Sequence, residues 1–182
     1  MESLSGRLLV ANPQLMEPTF ARTVVFVVAH TEEGALGVVI NRPSEIGVGE
    51  AVPALGPLAG PGDVVHAGGP VEPEGLIVMV QWVDPGPDTE MVFGDDIGLL
   101  AADHERDGLE RWIHWARVYA GHAGWAAGQL EGEIAAGGWF VLEAERADLC
   151  SQHPEGLWSE VLRRQGGQLA LVARMPTDLS VN

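Results

Sequence analysis

Two nearly unbroken apolar runs, TVVFVVAH (23–30) and LGVVIN (36–41), constrain this chain more than any other feature. Each is short and rich in β-branched residues, so each reads as a strand. Neither alternates apolar with polar residues, so each strand must be covered on both faces. The intervening TEEGA (31–35) can turn the chain, and 23–41 predicts an antiparallel hairpin. Arg42-Pro43 ends it, because proline cannot continue a central ladder.

The remaining segments supply the covering layers. GRLLVA (6–11) reads as a strand closed by Asn12-Pro13, and Glu17–Phe20 as a turn. Residues 44–63 are rich in glycine and proline, with one short helical stretch at Val48–Leu55. VVHAGGP (64–70) reads as strand into turn, GLIVMVQW (75–82) as a buried strand, DPGPD (84–88) as a loop and MVF (91–93) as strand. Gly98–Ala102 fits a short strand or one helical turn. LERWIHWARVYA (109–120) fits both periods: Trp112, Trp115, Ala116 and Tyr119 share a helical face, whereas Ile113, Trp115, Arg117 and Tyr119 alternate as in a strand. AAGQLEGEIAAGG (126–138) predicts a helix, WFVLEA (139–144) a strand, and PEGLWSEVLRRQGG (154–167) a helix burying Leu157, Trp158, Val161 and Leu162. Strands and helices mix without βαβ alternation, which predicts an α+β fold around a mixed sheet. The 182 residues fit one domain over 1–182, with an acidic, partly loop-like segment at 84–110 inside it.

Charge excludes one class of partner. Twenty-six acidic and ten basic residues give a net charge of −16, and every basic residue is arginine. Nucleic-acid affinity rests on cations that displace counterions from phosphates, so direct DNA or RNA binding is not expected. The 84–110 segment holds nine acids against Arg106 and reads as a solvated face or mobile loop, or, more sharply, as a cation site or a docking surface for a basic partner. Cys150 is the only cysteine and reads as a buried thiol in a reducing compartment. No apolar run reaches the ~18–20 residues of a membrane span, and no signal peptide is apparent, so a cytoplasmic location without membrane contact is expected.

Searches for chemistry return little. His30, His66, His104, His114, His122 and His153 form no HxxxH or HExxH spacing, and there is no CxxC, so no metal or cofactor is expected. Asp103, His104, Glu105 and Asp107 read as an exposed acidic turn. There is no GxSxG, Gly47-Val48-Gly49 lacks the third glycine of a dinucleotide loop, and no catalytic residue is assigned. What stands out is polar density among glycines: Asn41-Arg42-Pro43, HAGGP (66–70) and GHAGWAAGQLE (121–131). Glycines let backbones approach closely, for packing or for a ligand. HAGGP suits a turn or an anion-binding nest, and Arg42 offers a fork of donors to a carboxylate or phosphate. The candidate ligand site is therefore Asn41, Arg42, Gly68, Gly69, His122, Trp125 and Gln129, expected to meet in space. Under the plainer reading Asn41 caps a turn, Arg42 pairs with a surface acid and Trp125 fills core.

These motifs, in this order, resemble the AlgH/YqgE family. The matching segments are GRLLVANPQL (6–15), PTFARTVVFVVAHTEEGALGVVINRP (18–43), HAGGPVEP (66–73), GHAGWAAGQLEGEI (121–134) and WFVLEAERADLCSQHPEGLWSEVLRRQG (139–166). The resemblance implies a bifurcated sheet, barrel-like in part and surrounded by helices, with 113–120 as a strand leading into Ala123-Gly124-Trp125. It brings a transcriptional-regulator label but no settled activity. His122 stands where the family usually has an aromatic, and 81–112 matches poorly. The expectation is a cytosolic binding or regulatory protein acting through a protein or small ligand, not through direct DNA contact. The alternative is an enzyme on a small anionic or nucleotide-like substrate, with Arg42 binding and His122 or His66 as general base.

Overall fold

The computed structural model describes residues 2–15, 17–60, 62–84, 90–100, 108 and 111–175. The expected hairpin is present: β2 (Val24–Thr31) and β3 (Gly34–Val39) pair antiparallel, with a bulge between Val27 and Ala29. β1 (Arg7–Ala11) pairs β2 on the outer side, and β10 (Trp139–Glu143) pairs β1. β2 is covered on both faces, as its unbroken apolar run requires. Val24, Phe26 and Val28 point into one core, and Val25 and Val27 into another.

Of the two periods offered by 109–120, the strand reading holds from Ile113. β9 (Ile113–Ala126) is the longest element and runs further than expected, through Gly121–Ala126. Its inner edge is shared. Ala123–Ala126 pair β3, while Tyr119 and Ala120 pair β5 (Val64–Ala67) in parallel. Its other edge takes β6 (Val71–Trp82), followed by β8 (Ile97–Leu99) and β7 (Met91–Phe93). β4 (Pro43–Gly47) pairs β5 off this path. The sheet is thus mixed, forks at β9 and curls into a half-barrel. β4 begins at a proline that was expected only to stop a strand; it is a two-stranded ribbon edge, where a missing N–H costs nothing.

Helices close the open faces. α3 (Arg146–Leu149), α4 (Leu157–Arg164) and α5 (Gly167–Val172) lie over the core that contains Phe26, Met79 and Tyr119. Arg164 makes two 2.7 Å bonds to the buried Asp148 carboxylate and so pins α4 to α3. α2 (Gln129–Ala135) covers the opposite face of β1–β3 through Leu130 and Ile134. It is shorter than the predicted 126–138, because β9 extends to Ala126 and Gly128 adopts a left-handed conformation. α1 (Val48–Ala51) and a 3-10 turn (Pro53–Leu58) cover the β6–β9 lobe. The single helix expected over Val48–Leu55 is broken where Pro53 forces Val52 out of helical geometry. Among the described residues no helix is long and apolar enough to cross a membrane, which says nothing about crossing by strands.

Candidate functional site

The structure brings part of the expected site together and spends most of its polar groups internally. Asn41 is buried just beyond β3. Its Oδ1 accepts the Val24 N–H at 2.8 Å and its Nδ2 donates to the Arg22 carbonyl at 2.9 Å, so it clamps the start of β2. The expected pairing of Arg42 with a surface acid is not found among the described residues. Arg42 Nη2 instead donates to the carbonyls of Pro18 and Ala21, both at 3.2 Å. These two bonds hold the 17–22 turn. Partial burial draws the Arg42 pKa below its ordinary value. No described residue accepts from Nη1 or Nε.

Gly68 and Gly69 meet β9 at a backbone crossing. The Ala67 N–H donates to Arg42 O, the Gly68 N–H to Ala120 O, and Gly68 O accepts the Val39 N–H, each at 2.8 Å. The expected anion nest at HAGGP therefore has its Ala67 and Gly68 amides committed to strands. A Cβ on Gly68 would lie 2.3 Å from Gly121 O, and one on Gly69 2.2 Å from the His122 carbonyl. These glycines serve close packing of three chain segments. His122 is half-buried on β9 opposite Val71.

Trp125 and Gln129 belong to a second set. The Trp125 indole is buried and donates to Glu133 Oε2 at 3.0 Å; Trp139 donates to the same oxygen at 2.8 Å. Gln129 donates to Glu133 Oε1 at 3.0 Å and accepts the Ala126 N–H. Phe20 stacks on Trp125 with ring centroids 6.5 Å apart. The 17–22 turn thus links Arg42 on one side to Trp125 on the other, through packing and not across a shared opening.

Residues outside the expected set carry the more unusual chemistry. His66, in β5, is buried and lies beside Tyr119 of β9, ring centroids 5.8 Å apart. Its Nδ1 sits 3.1 Å from Val64 O, so Nδ1 carries the proton and Nε2 is a bare acceptor without a partner among the described residues. Desolvation, reinforced by the Arg117 charge, pulls its pKa down to about 4. The Tyr119 hydroxyl is also buried without a hydrogen bond of ordinary geometry, and burial pushes its pKa up against the opposing pull of Arg117. Arg117 is itself buried. It donates to Leu149 O at 3.2 Å and Ser151 O at 2.9 Å, and no described carboxylate pairs with it. The alternation Trp115–Arg117–Tyr119 was visible in the sequence, but the parallel neighbour His66 was not.

At the other end of the sheet, buried His30 accepts the Leu4 N–H on Nδ1 at 3.0 Å and faces Glu131 from Nε2 at 2.9 Å. Cys150, expected to be buried, is half-buried, its Sγ 3.2 Å from Arg146 O. An open groove of about 430 Å³ lined by Glu45, Val48, Gly49, Gly56 and Asp63 holds none of the seven expected site residues. No group of three or more metal-ligating side chains occurs among the described residues. The cluster at Asp103–Asp107 and most of the DPGPD loop lie outside them.

Architecture and site together define a class: α+β proteins with a forked, curled sheet whose strands cross at paired glycines. The chain belongs to the AlgH-like family, whose model matches residues 8–170. A UPF0301 protein of Streptomyces coelicolor is 44% identical over 190 residues, covering 100% of this chain and 97% of the relative. One from Thermobifida fusca is 43% identical over 190 residues, covering 99% and 96%. The crystal structure of a Corynebacterium diphtheriae protein aligns with a TM-score of 0.85 at 27% identity, covering 96% of this chain and 94% of that one. The solution structure of AlgH from Pseudomonas aeruginosa aligns with a TM-score of 0.72 at 29% identity, covering 96% and 95%. None of these names states an activity.

Proposed function

We propose that this chain is a cytoplasmic binding or regulatory protein that recognises an anionic group on a small ligand or protein partner through Arg42, and that it does not contact DNA directly. The observation that carries this reading is the state of Arg42. Its guanidinium is fixed in direction by two carbonyls, is partly desolvated, and retains donors on Nη1 and Nε with no carboxylate among the described residues to use them. A preoriented, half-dry guanidinium favours a carboxylate or phosphate over water. The net charge of −16 supports the exclusion of nucleic acid.

Native mass spectrometry of freshly purified protein tests the reading against Arg42→Gln. Wild type is expected to retain an acidic species that the variant lacks. Equal adducts on both proteins, or an apo mass together with loss of no captured partner in Arg42→Gln, would defeat it.

The enzymatic alternative, on a small anionic substrate, draws support from a different place. His66 pairs an unused Nε2 with a strongly displaced pKa, a combination frequent at functional sites.

A further inference from the structure

Three polar side chains meet in the interior where β5 joins β9, and none is satisfied in the way such groups normally are. Buried polar atoms are almost always hydrogen-bonded, and a buried cation almost always has a counter-charge. Among the described residues His66 Nε2 lacks a partner, Tyr119 Oη has only the Arg117 guanidinium close by, in poor hydrogen-bond geometry, and Arg117 has two backbone carbonyls and the Trp115 ring but no carboxylate. The nearby acids do not remedy this. Asp63 and Glu155 act on His66 only through space, and the buried Asp148 is committed to Arg164. Register makes the grouping: Arg117 and Tyr119 are two apart on β9 and so share a face, and His66 is the direct parallel neighbour of Tyr119.

We propose that His66, Arg117 and Tyr119 form an internal site for a small oxyanion that carries a proton, with a phosphoryl group as the class of ligand. Each group specifies part of that ligand. Arg117 supplies the positive charge and donors beyond those spent on Leu149 and Ser151. The Tyr119 hydroxyl donates to an oxyanion. His66 Nε2 can only accept, because Nδ1 holds its proton against Val64 O. A fully deprotonated anion would place an oxygen against that lone pair. Hydrogen phosphate or a phosphate monoester monoanion would present an O–H instead. The site lies beneath the 150–153 segment, half-exposed to exposed, whose Ser151 carbonyl clasps the guanidinium from outside. It is separate from Arg42, so its test does not depend on the reading above.

Titration with inorganic phosphate at about pH 7.5, against sodium chloride of equal ionic strength, tests the assignment. Tyr119 is the sole tyrosine, and its ring resonances, with the His66 imidazole nitrogens, report on the site without ambiguity. Saturable shifts of both groups are expected with phosphate, and binding at least about tenfold weaker with sulfate, since a lost hydrogen bond at a buried acceptor costs on the order of 1–3 kcal/mol. Tyr119→Phe, which removes one hydroxyl and keeps the packing, should weaken phosphate about tenfold. Arg117→Gln should abolish binding, whereas Arg42→Gln should leave it intact. Indifference of both resonances to phosphate would overturn the proposal. So would equal affinity for sulfate, or unchanged affinity in Tyr119→Phe.

Discussion

At the scale of single residues, the structure separates side chains that bind something from those that hold the protein together. Glu133 is of the second kind. It gathers two indole N–H groups and one amide, so Glu133→Ala would strand the buried donors of Trp125 and Trp139. A loss of about 2–4 kcal/mol is expected in urea denaturation, and Glu133→Gln, which keeps an acceptor, should lose about 1. Gly69 and Gly132 make an opposed pair. Alanine at Gly69 drives a methyl into the His122 carbonyl at a φ of +153° and should cost about 3 kcal/mol or more. Alanine at Gly132, with open space around it in α2, should stabilise by about 0.5–1 kcal/mol. His66 adds a pH dependence. Its folded pKa of about 4 lies below the ordinary histidine value near 6.5, so between these the unfolded chain binds the extra proton. Stability is therefore fully present above about pH 6.5 and declines toward pH 4, by roughly 3 kcal/mol in all. Chemical denaturation across that range should show the decline in wild type and a shallower one in His66→Gln.

At the scale of elements, local chemistry was more legible than assembly. The 23–41 hairpin followed from apolar content and a turn, and the α4 helix from Pro154 and its apolar stripe, because both signals act within a dozen residues. The ambiguous 109–120 stretch needed its neighbours. Its strand form is imposed by β6 on one side and, at Tyr119 and Ala120, by β5 on the other, which no local period reveals. The candidate site shows the same division. Asn41, Arg42, Gly68 and Gly69 lie at adjoining strand ends. Trp125 and Gln129 were grouped with them by composition, yet both donate to Glu133, eight and four residues further on. The α3–α4 connection centres on one pair. Replacing Asp148 by alanine should cost about 1–3 kcal/mol, because Arg164 loses its two-pronged partner and keeps only the exposed Glu145, 3.3 Å from its Nε. Arg164→Lys, which cannot reproduce the two-pronged contact, should cost less but be measurable by the same unfolding assay.

At the scale of the whole molecule, β9 is the strand that joins β10–β1–β2–β3 to β6–β8–β7, so the two lobes are continuous only through it. Urea unfolding followed by tryptophan fluorescence and by far-ultraviolet circular dichroism should give coincident transitions; two resolved midpoints would show that the lobes melt separately. The antiparallel pairing of β1 with β10 has a consequence for how the molecule is made. Synthesis delivers β1 first and β10 more than a hundred residues later, yet Arg7 must lie against Glu143 and Ala11 against Trp139. Until then the nascent chain presents Leu8, Leu9 and Val10 on an unguarded strand edge. A chain in synthesis therefore carries the β1 edge open until β10 emerges, and that interval is when it most needs a chaperone.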